Sequence, residues 1–414
     1  MSPSPHRRPR IALYGHDTQG LGHLRRNLVL ASAFASDHPA GLGAEVLLLT
    51  GASEVGMFPR PRGVDALVLP GVRKDEQGAY APRQMRGGLA DVVRFRKTMI
   101  EAALTQFPPD LLVVDKTPYG FQGELRTTLR TLRAAGTRLV LGLRDVLDDL
   151  PTTRAQWRKD LADEAVRAFY DEVWVYGDPS IHDLTVATGM APDVAACTHH
   201  LGYLSADRID SAERQHRPDT GGRDYVLVMV GGGQDGAELS RLAAAMTPPP
   251  GLELIVLTGP QLDEEEVREV RRVAEHSPHV QVMRFSRHGA AWLTGAAAVI
   301  TMGGANTVAE ILDTDVPALI VPRVSPRAEQ LVRAEALAAH GYLSVLRPDE
   351  LTTARLQDWT LAAVGTRTER GGMNRGGVAA TTARARELIR PPSGHRPDVA
   401  PTATVLPLRS PHVA

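Results

Sequence analysis

The chain has 414 residues, 47 of them Lys or Arg and 48 Asp or Glu, with 38 glycines, 30 prolines and one cysteine. At about 100–200 residues per domain this length holds two or three domains, and 23% charged with 43% hydrophobic residues is an ordinary soluble, globular composition. The balanced charge excludes a nucleic-acid binder held by overall basicity, and a lone cysteine excludes a disulfide-stapled scaffold and a Cys-rich zinc site.

Met1–Arg10 carries His6, Arg7, Arg8 and Arg10, and no long apolar run follows, so it does not read as a signal peptide. The longest uncharged stretch, His288–Ala309, contains four glycines and does not read as a membrane span. The expectation is a cytoplasmic protein, with peripheral contact at the inner face of a membrane left open.

Strand-like runs lie at Ile11–Tyr14, Val46–Thr50, Ala66–Leu69, Leu111–Asp115, Leu139–Leu143 and Val173–Tyr176. They are short and nearly continuous in Val, Leu and Ile, as parallel strands buried on both faces are. Helical stretches fill the intervals near Leu24–Ser36, Leu89–Gln106, Gly123–Ala135, Thr153–Tyr170 and Pro179–Thr188. The polar segment Ser205–Arg223 breaks the alternation and reads as a linker. Strands resume at Tyr225–Val230, Leu254–Thr258, Val280–Phe285, Ala298–Thr301 and Ala318–Val321. Helices are expected between and after them, among them Thr307–Leu312 and Arg327–His340. The last 24 residues hold six prolines and read as a disordered tail. The fold class is therefore α/β, two doubly wound Rossmann-like domains facing a central cleft. The expected divisions are 1–204, a linker 205–223, a second domain 224–390 and a tail 391–414.

In such sheets the strand-to-helix loops carry the chemistry. The first, Gly15–Arg26, holds His16, Asp17, Gly20, Gly22 and His23. Its glycines admit a ligand close to the backbone, and His23 at the helix start suits a general base. Its spacing does not match Gly-x-Gly-x-x-Gly placed directly after a strand. The second loop, Val230–Gly236, contains Gly232, Gly233 and Gln234, and suits a diphosphate or sugar. The third, Thr301–Glu310, turns at Gly303-Gly304 and opens a helix at Ala305-Asn306-Thr307, whose N–H groups can cradle a diphosphate. Glu310 there fits either a ribose diol or a capping box with Thr307. The fourth, Val321–Gln330, gathers Arg323, Arg327, Glu329 and Gln330, types that suit phosphate and sugar hydroxyls.

Loops two to four, in this order, resemble the donor half of GT-B glycosyltransferases, and in particular the MurG-like peptidoglycan UDP-N-acetylglucosaminyltransferases. Gly303-Gly304-Ala305-Asn306-Thr307 with Glu310, then Pro322 and Gln330, carry the resemblance, which is close from Val282 to Leu337. The chain is closer still to uncharacterised glycosyltransferases of that branch. The resemblance implies that Phe285 and Ser286 meet the uracil, Ala305–Thr307 the diphosphate, Glu310 the ribose, and Glu329 and Gln330 the donor sugar; by residue type and position Gly304 is expected at the diphosphate and Arg327 at the donor sugar. It places His23 at the acceptor base and implies inversion at the anomeric carbon. Gly233 stands where the family has serine, Glu329 replaces a glutamine and Arg333 an asparagine.

Asp115, with Lys116 and Thr117, ends a strand and should face the cleft, while Arg144 and Asp145 end the next; both sets suit an acceptor or a structural pair, and Asp115 can orient His23. Asp313-Thr314-Asp315 reads as a solvated turn, and no metal or cofactor is expected. Arg60–Lys97 holds nine basic and four acidic residues, a local bias that suits a solvated face or an anionic surface. The function expected is glycosyl transfer from a UDP-sugar to an acceptor hydroxyl, on a carbohydrate, a lipid-linked sugar or a small molecule. Two alternatives stay open: a UDP-sugar 2-epimerase or hydrolase, and a non-catalytic sugar-binding protein.

Overall fold

The structure, a computed structural model, describes residues 7–17, 20–74, 79–205, 215–232 and 235–389. Gly233, Gln234, part of the expected linker and the tail 391–414 lie outside the described residues. In chain order the first half holds β1 (Arg10–Gly15), β2 (Glu45–Thr50), β3 (Val64–Val68), a hairpin of β4 (Val72–Lys74) and β5 (Tyr80–Pro82), β6 (Leu111–Asp115), β7 (Arg138–Arg144), β8 (Glu172–Tyr176) and β9 (Thr198–His200). The second half holds β10 (Asp224–Met229), β11 (Leu252–Leu257), β12 (Val280–Met283), β13 (Ala298–Thr301), β14 (Ala318–Ile320) and β15 (Ser344–Val345).

Two sheets result, ordered β3-β2-β1-β6-β7-β8-β9 and β12-β11-β10-β13-β14-β15. Every pairing within them is parallel. Hydrophobic cores cover both faces of each sheet, which is why the strands read as unbroken apolar runs. In each sheet the strand order reverses beside the first strand, between β1 and β6 and between β10 and β13. Crossover helices leave these two points on opposite faces, so a crevice opens outside the carboxyl ends of the strands there.

Three local expectations change. The helix expected over Thr153–Tyr170 is two, Leu150–Lys159 and Ala162–Phe169, separated where Leu161 takes a left-handed backbone with φ 49°. The helix expected over Pro179–Thr188 shortens to Leu184–Thr188, because Asp183 caps it by accepting from the Thr185 and Val186 N–H groups. The third change concerns the domain boundary. The last helix, Gly377–Ile389, packs Val378, Ala380, Ala385, Leu388 and Ile389 onto the core of the first sheet, beside Leu28 and Phe34. Its Arg384 pairs with Glu172 at 2.6 Å. The assignment of 224–390 to the second domain is therefore corrected, since the chain returns to the first domain before its end. Both crossings meet at one place. Tyr203 N–H donates to Asn374 O at 2.9 Å, Gly377 N–H donates to Tyr203 O at 3.0 Å, and Leu204 bridges Gly376. Gly202 there has φ +93°, and a Cβ on it would lie 2.4 Å from Asn374 Oδ1, so the close approach requires glycine.

Candidate active site in the interdomain cleft

A cleft of about 1720 Å³ separates the strand ends of the two sheets. On the first-domain side, the helix Gly22–Ala35 follows β1 and lies at the reversal point, with Leu24, Leu28, Ala31 and Ala35 buried along one stripe. That burial fixes the start of the helix against the end of β6, where Asp115 projects. Asp115 Oδ2 lies 2.9 Å from His23 Nδ1, and Arg26 grips the same carboxylate at 2.7 and 2.8 Å. Burial alone would raise the Asp115 pKa, but the charges of Arg26 and His23 outweigh it and hold the group well below the usual carboxylate range. An ionised carboxylate only accepts, so we assign the imidazole proton to Nδ1, which leaves the Nε2 lone pair for a substrate proton.

His16 packs beside this pair, its ring centroid 4.7 Å from that of His23. Burial, then the neighbouring His23, pushes the His16 pKa well below 6.5, so it stays neutral. Gly20 and Gly22 line the cleft. Asp17 does not, and this corrects its expected place in an acceptor loop. Its side chain is fully buried, turned back to accept from Thr50 Oγ1 and from the Leu24 N–H, so it pins the loop to β2 and to the helix start.

On the second-domain side, Gly303 turns with φ +80° against Ile320, and the helix Ala305–Leu312 begins with Gly304 as its cap. The first-turn N–H groups of Ala305, Asn306 and Thr307 have no acceptor within the helix by geometry and face the cleft. Because the helix starts two residues earlier than expected, Glu310 lies a turn too deep for a capping box, and no side-chain cap bond is present. Glu310 is instead buried in the cleft wall, where its carboxylate accepts from Arg25 of the first domain. Asn306 Nδ2 donates to Gly22 O at 2.9 Å, so the two helix starts touch directly. Gly232, Phe285 and Ser286 line the same wall, with Phe285 edge-on to Phe58 across the cleft at 6.4 Å.

The fourth loop closes the floor. Gln330 Oε1 accepts from the Arg323 N–H at 2.9 Å, and Arg323 pairs with Glu329 at 2.7 Å and with Asp235 at 2.9 Å. Arg144, at the end of β7, lies 3.8 Å from Glu329. Burial would raise the Glu329 pKa, but Arg144, Arg323 and Arg333 hold it low, so the carboxylate is ionised. Arg327 donates to Asp148 at 2.9 Å across the cleft. Arg333 makes two 2.7 Å bonds to Asp145, so Asp145 is a structural partner and not an acceptor ligand.

The structure thus brings the sequence-predicted residues to one cleft, apart from buried Asp17, Asp115 seated behind His23, and Gly233 and Gln234 outside the described residues. Sequence reasoning missed Arg25 and Arg26, although they follow His23 directly and a helix start sends successive side chains about 100° apart. Lys116, expected at the cleft beside Asp115, lines it with a left-handed backbone of φ 70°. Burial, then Arg144 and Arg327, lowers the Lys116 pKa to about 7. Two surface readings are refined. Asp315 sits in an exposed turn and pairs with Arg367, and Arg96 in the basic stretch is fully buried against Glu124. Among the described residues no group of three or more His, Cys, Asp or Glu side chains is arranged to hold a metal ion. Among them also, no helix is long and apolar enough to cross a membrane.

Residues 226–382 match the glycosyltransferase family 28 C-terminal domain. The UDP-N-acetylglucosamine–N-acetylmuramyl-(pentapeptide) pyrophosphoryl-undecaprenol N-acetylglucosamine transferase of Symbiobacterium thermophilum is 25% identical over 286 residues, 66% of this chain and 67% of that protein. The enzyme of the same name from Carboxydothermus hydrogenoformans is 29% identical over 142 residues, 33% of this chain and 38% of that protein. Among solved structures, Acinetobacter baumannii MurG superposes with a TM-score of 0.52 at 16% identity, covering 92% of this chain and 95% of its own. The calicheamicin glycosyltransferase CalG4 superposes with a TM-score of 0.55 at 19% identity, covering 92% and 94%. Both likenesses establish the two-domain fold. The family 28 match falls on the loops that build the second wall of the cleft, and the Symbiobacterium thermophilum relative, covering 66% of the chain, extends the likeness into the first domain. The chain is a glycosyltransferase of the GT-B fold that carries a family 28 C-terminal domain and is similar to the MurG enzymes.

Proposed function

We propose that the protein transfers a hexosyl group, N-acetylglucosamine foremost, from a UDP-sugar to an acceptor hydroxyl with inversion at the anomeric carbon. The observation that carries this reading is the direct apposition of His23, oriented by Asp115, and the amino end of the helix Ala305–Leu312, joined by the Asn306–Gly22 bond. The uracil lies by Phe285 and Ser286, the diphosphate on the N–H groups at Gly304–Thr307, the ribose at Glu310, and the sugar by Arg327, Glu329 and Gln330. Gly232 approaches the donor from the second loop. His23 Nε2 takes the acceptor proton as the acceptor oxygen attacks C1 in line, and the helix amino end stabilises the leaving diphosphate without a bound metal. His16, Gly20, Gly22 and Arg144 border the acceptor.

The names of the curated relatives support a lipid-linked acceptor, which the protein would meet at a membrane surface. The test is product analysis with UDP-N-acetylglucosamine and other UDP-sugars, with and without lipid-linked and soluble acceptors. Acceptor-dependent UDP release with an inverted product is expected. Rapid UDP or epimer formation without any acceptor overturns transfer in favour of hydrolysis or 2-epimerisation.

A further inference from the structure

The amino end of a helix carries about half a positive charge, less than a departing diphosphate acquires. Side-chain cations must supply the rest, and most arginines of the cleft are committed elsewhere. Arg284, Arg327 and Arg333 pair with Glu264, Asp148 and Asp145. Arg25 differs in its partner. It reaches across from the first domain to Glu310, the residue that the proposed donor ribose claims.

Geometry favours a second position for this guanidinium. Arg26, the next residue, points inward and is locked on Asp115 with its side chain 6% exposed, while Arg25 points across the cleft and is 26% exposed. Glu310 sits four residues beyond Asn306, so the first-turn N–H groups lie about 6 Å back along the same helix. That span is covered by rotamer changes in a long side chain. The Asn306–Gly22 bond keeps the base of Arg25 beside the helix start throughout.

We propose that Arg25 is a catalytic residue: when the ribose diol occupies Glu310, the Arg25 guanidinium contacts the donor diphosphate and neutralises the charge of the departing UDP. This rests on the donor reading above. In the transfer the bond from C1 to the β-phosphate oxygen breaks, and its electron pair stays on that oxygen. The acceptor oxygen bonds C1, and the acceptor proton passes to His23 Nε2. UDP therefore leaves with one more negative charge than it carried in the donor, and Arg25 meets that charge only when the two domains are closed. A cation supplied by the acceptor-binding domain ties leaving-group departure to closure.

The test is calorimetry of the full chain with UDP and with uridine, alongside turnover. Arg25→Gln is expected to weaken UDP binding roughly tenfold, leave uridine binding unchanged, and lower kcat about 100-fold, the scale of one lost charge-stabilising donor. Arg25→Lys, which keeps the charge, should recover most of the UDP affinity. Glu310→Gln removes the stranded carboxylate, and in that background Arg25→Gln should still weaken UDP more than uridine. Equal losses for UDP and uridine, or none, would show Arg25 to be a domain latch alone and overturn the proposal. A wild type that binds no UDP overturns the donor reading, and this one with it.

Discussion

Asp145 and Arg333, 188 residues apart in sequence, meet across the cleft through two 2.7 Å hydrogen bonds, and both side chains are almost completely buried. Arg333 also reaches Gly303 O and Val146 O at 3.3 Å, so its donors are shared between the domains. Breaking such a pair from one side leaves a buried charge uncompensated. Asp145→Ala should therefore lose about 3–5 kcal/mol of stability in urea unfolding. The double variant Asp145→Leu/Arg333→Met should lose much less, since it strands no charge.

His23 and Asp115 act as a unit in the proposed chemistry. His23→Ala should lower kcat by about 10²–10⁴ with UDP affinity unchanged. Asp115→Asn should do nearly the same, and the double variant should be little worse than either alone. Asp115 also predicts a pH signature. Its folded pKa is depressed, so its stabilisation is present above the unfolded value of about 3.9 and is lost as pH falls through the lower folded value. The stability deficit of Asp115→Asn at pH 7 should shrink in acid, read by melting temperature.

Lys116 predicts a slope of the same sign in a higher pH window. Its pKa falls to about 7 when folded, because burial and then Arg144 and Arg327 disfavour the ammonium. The unfolded chain binds more protons between about pH 7 and 10.4, so stability rises with pH over that window. Lys116→Met should be more stable than wild type at pH 6, and the gap should narrow by pH 10. Parallel melting curves at both pH values would contradict this.

The returning helix can be tested by truncation. Ending the chain at Gly376 removes Val378, Ala385 and Leu388 from the first-sheet core. At about 1.5–3 kcal/mol for each large apolar side chain buried, the loss is a large fraction of domain stability. The first domain should melt many degrees lower, although the removed residues lie at the far end of the sequence.

Much of this architecture is legible in sequence because the sheet strands are dense in Val, Leu and Ile and the loops after them are rich in glycine. What escaped has specific causes. β9 reads Thr-His-His and β15 has two residues, so backbone pairing with β8 and β14 defines them, not a side-chain pattern. The last helix, GVAATTARARELI, has small and charged residues whose apolar stripe is visible only against the first-sheet core it covers. Loop positions found His23, Glu310 and Glu329, since strand ends in a doubly wound sheet converge. Arg25, Asp148 and the Arg333–Asp145 pair depend on how two domains meet, which no local spacing encodes. Glu310 left two readings open because the helix start was set two residues late.

The two strands of chain that join the domains are bonded to each other where Tyr203 and Leu204 meet Asn374, Gly376 and Gly377. Two separated connections would let the halves slide or swivel. Two connections fastened side by side behave as a single pintle. The halves can then part mainly as jaws do, widest at the rim far from the pin, which is the edge where the proposed acceptor would enter. Each return stroke brings Arg25 and His23 back onto the same helix end.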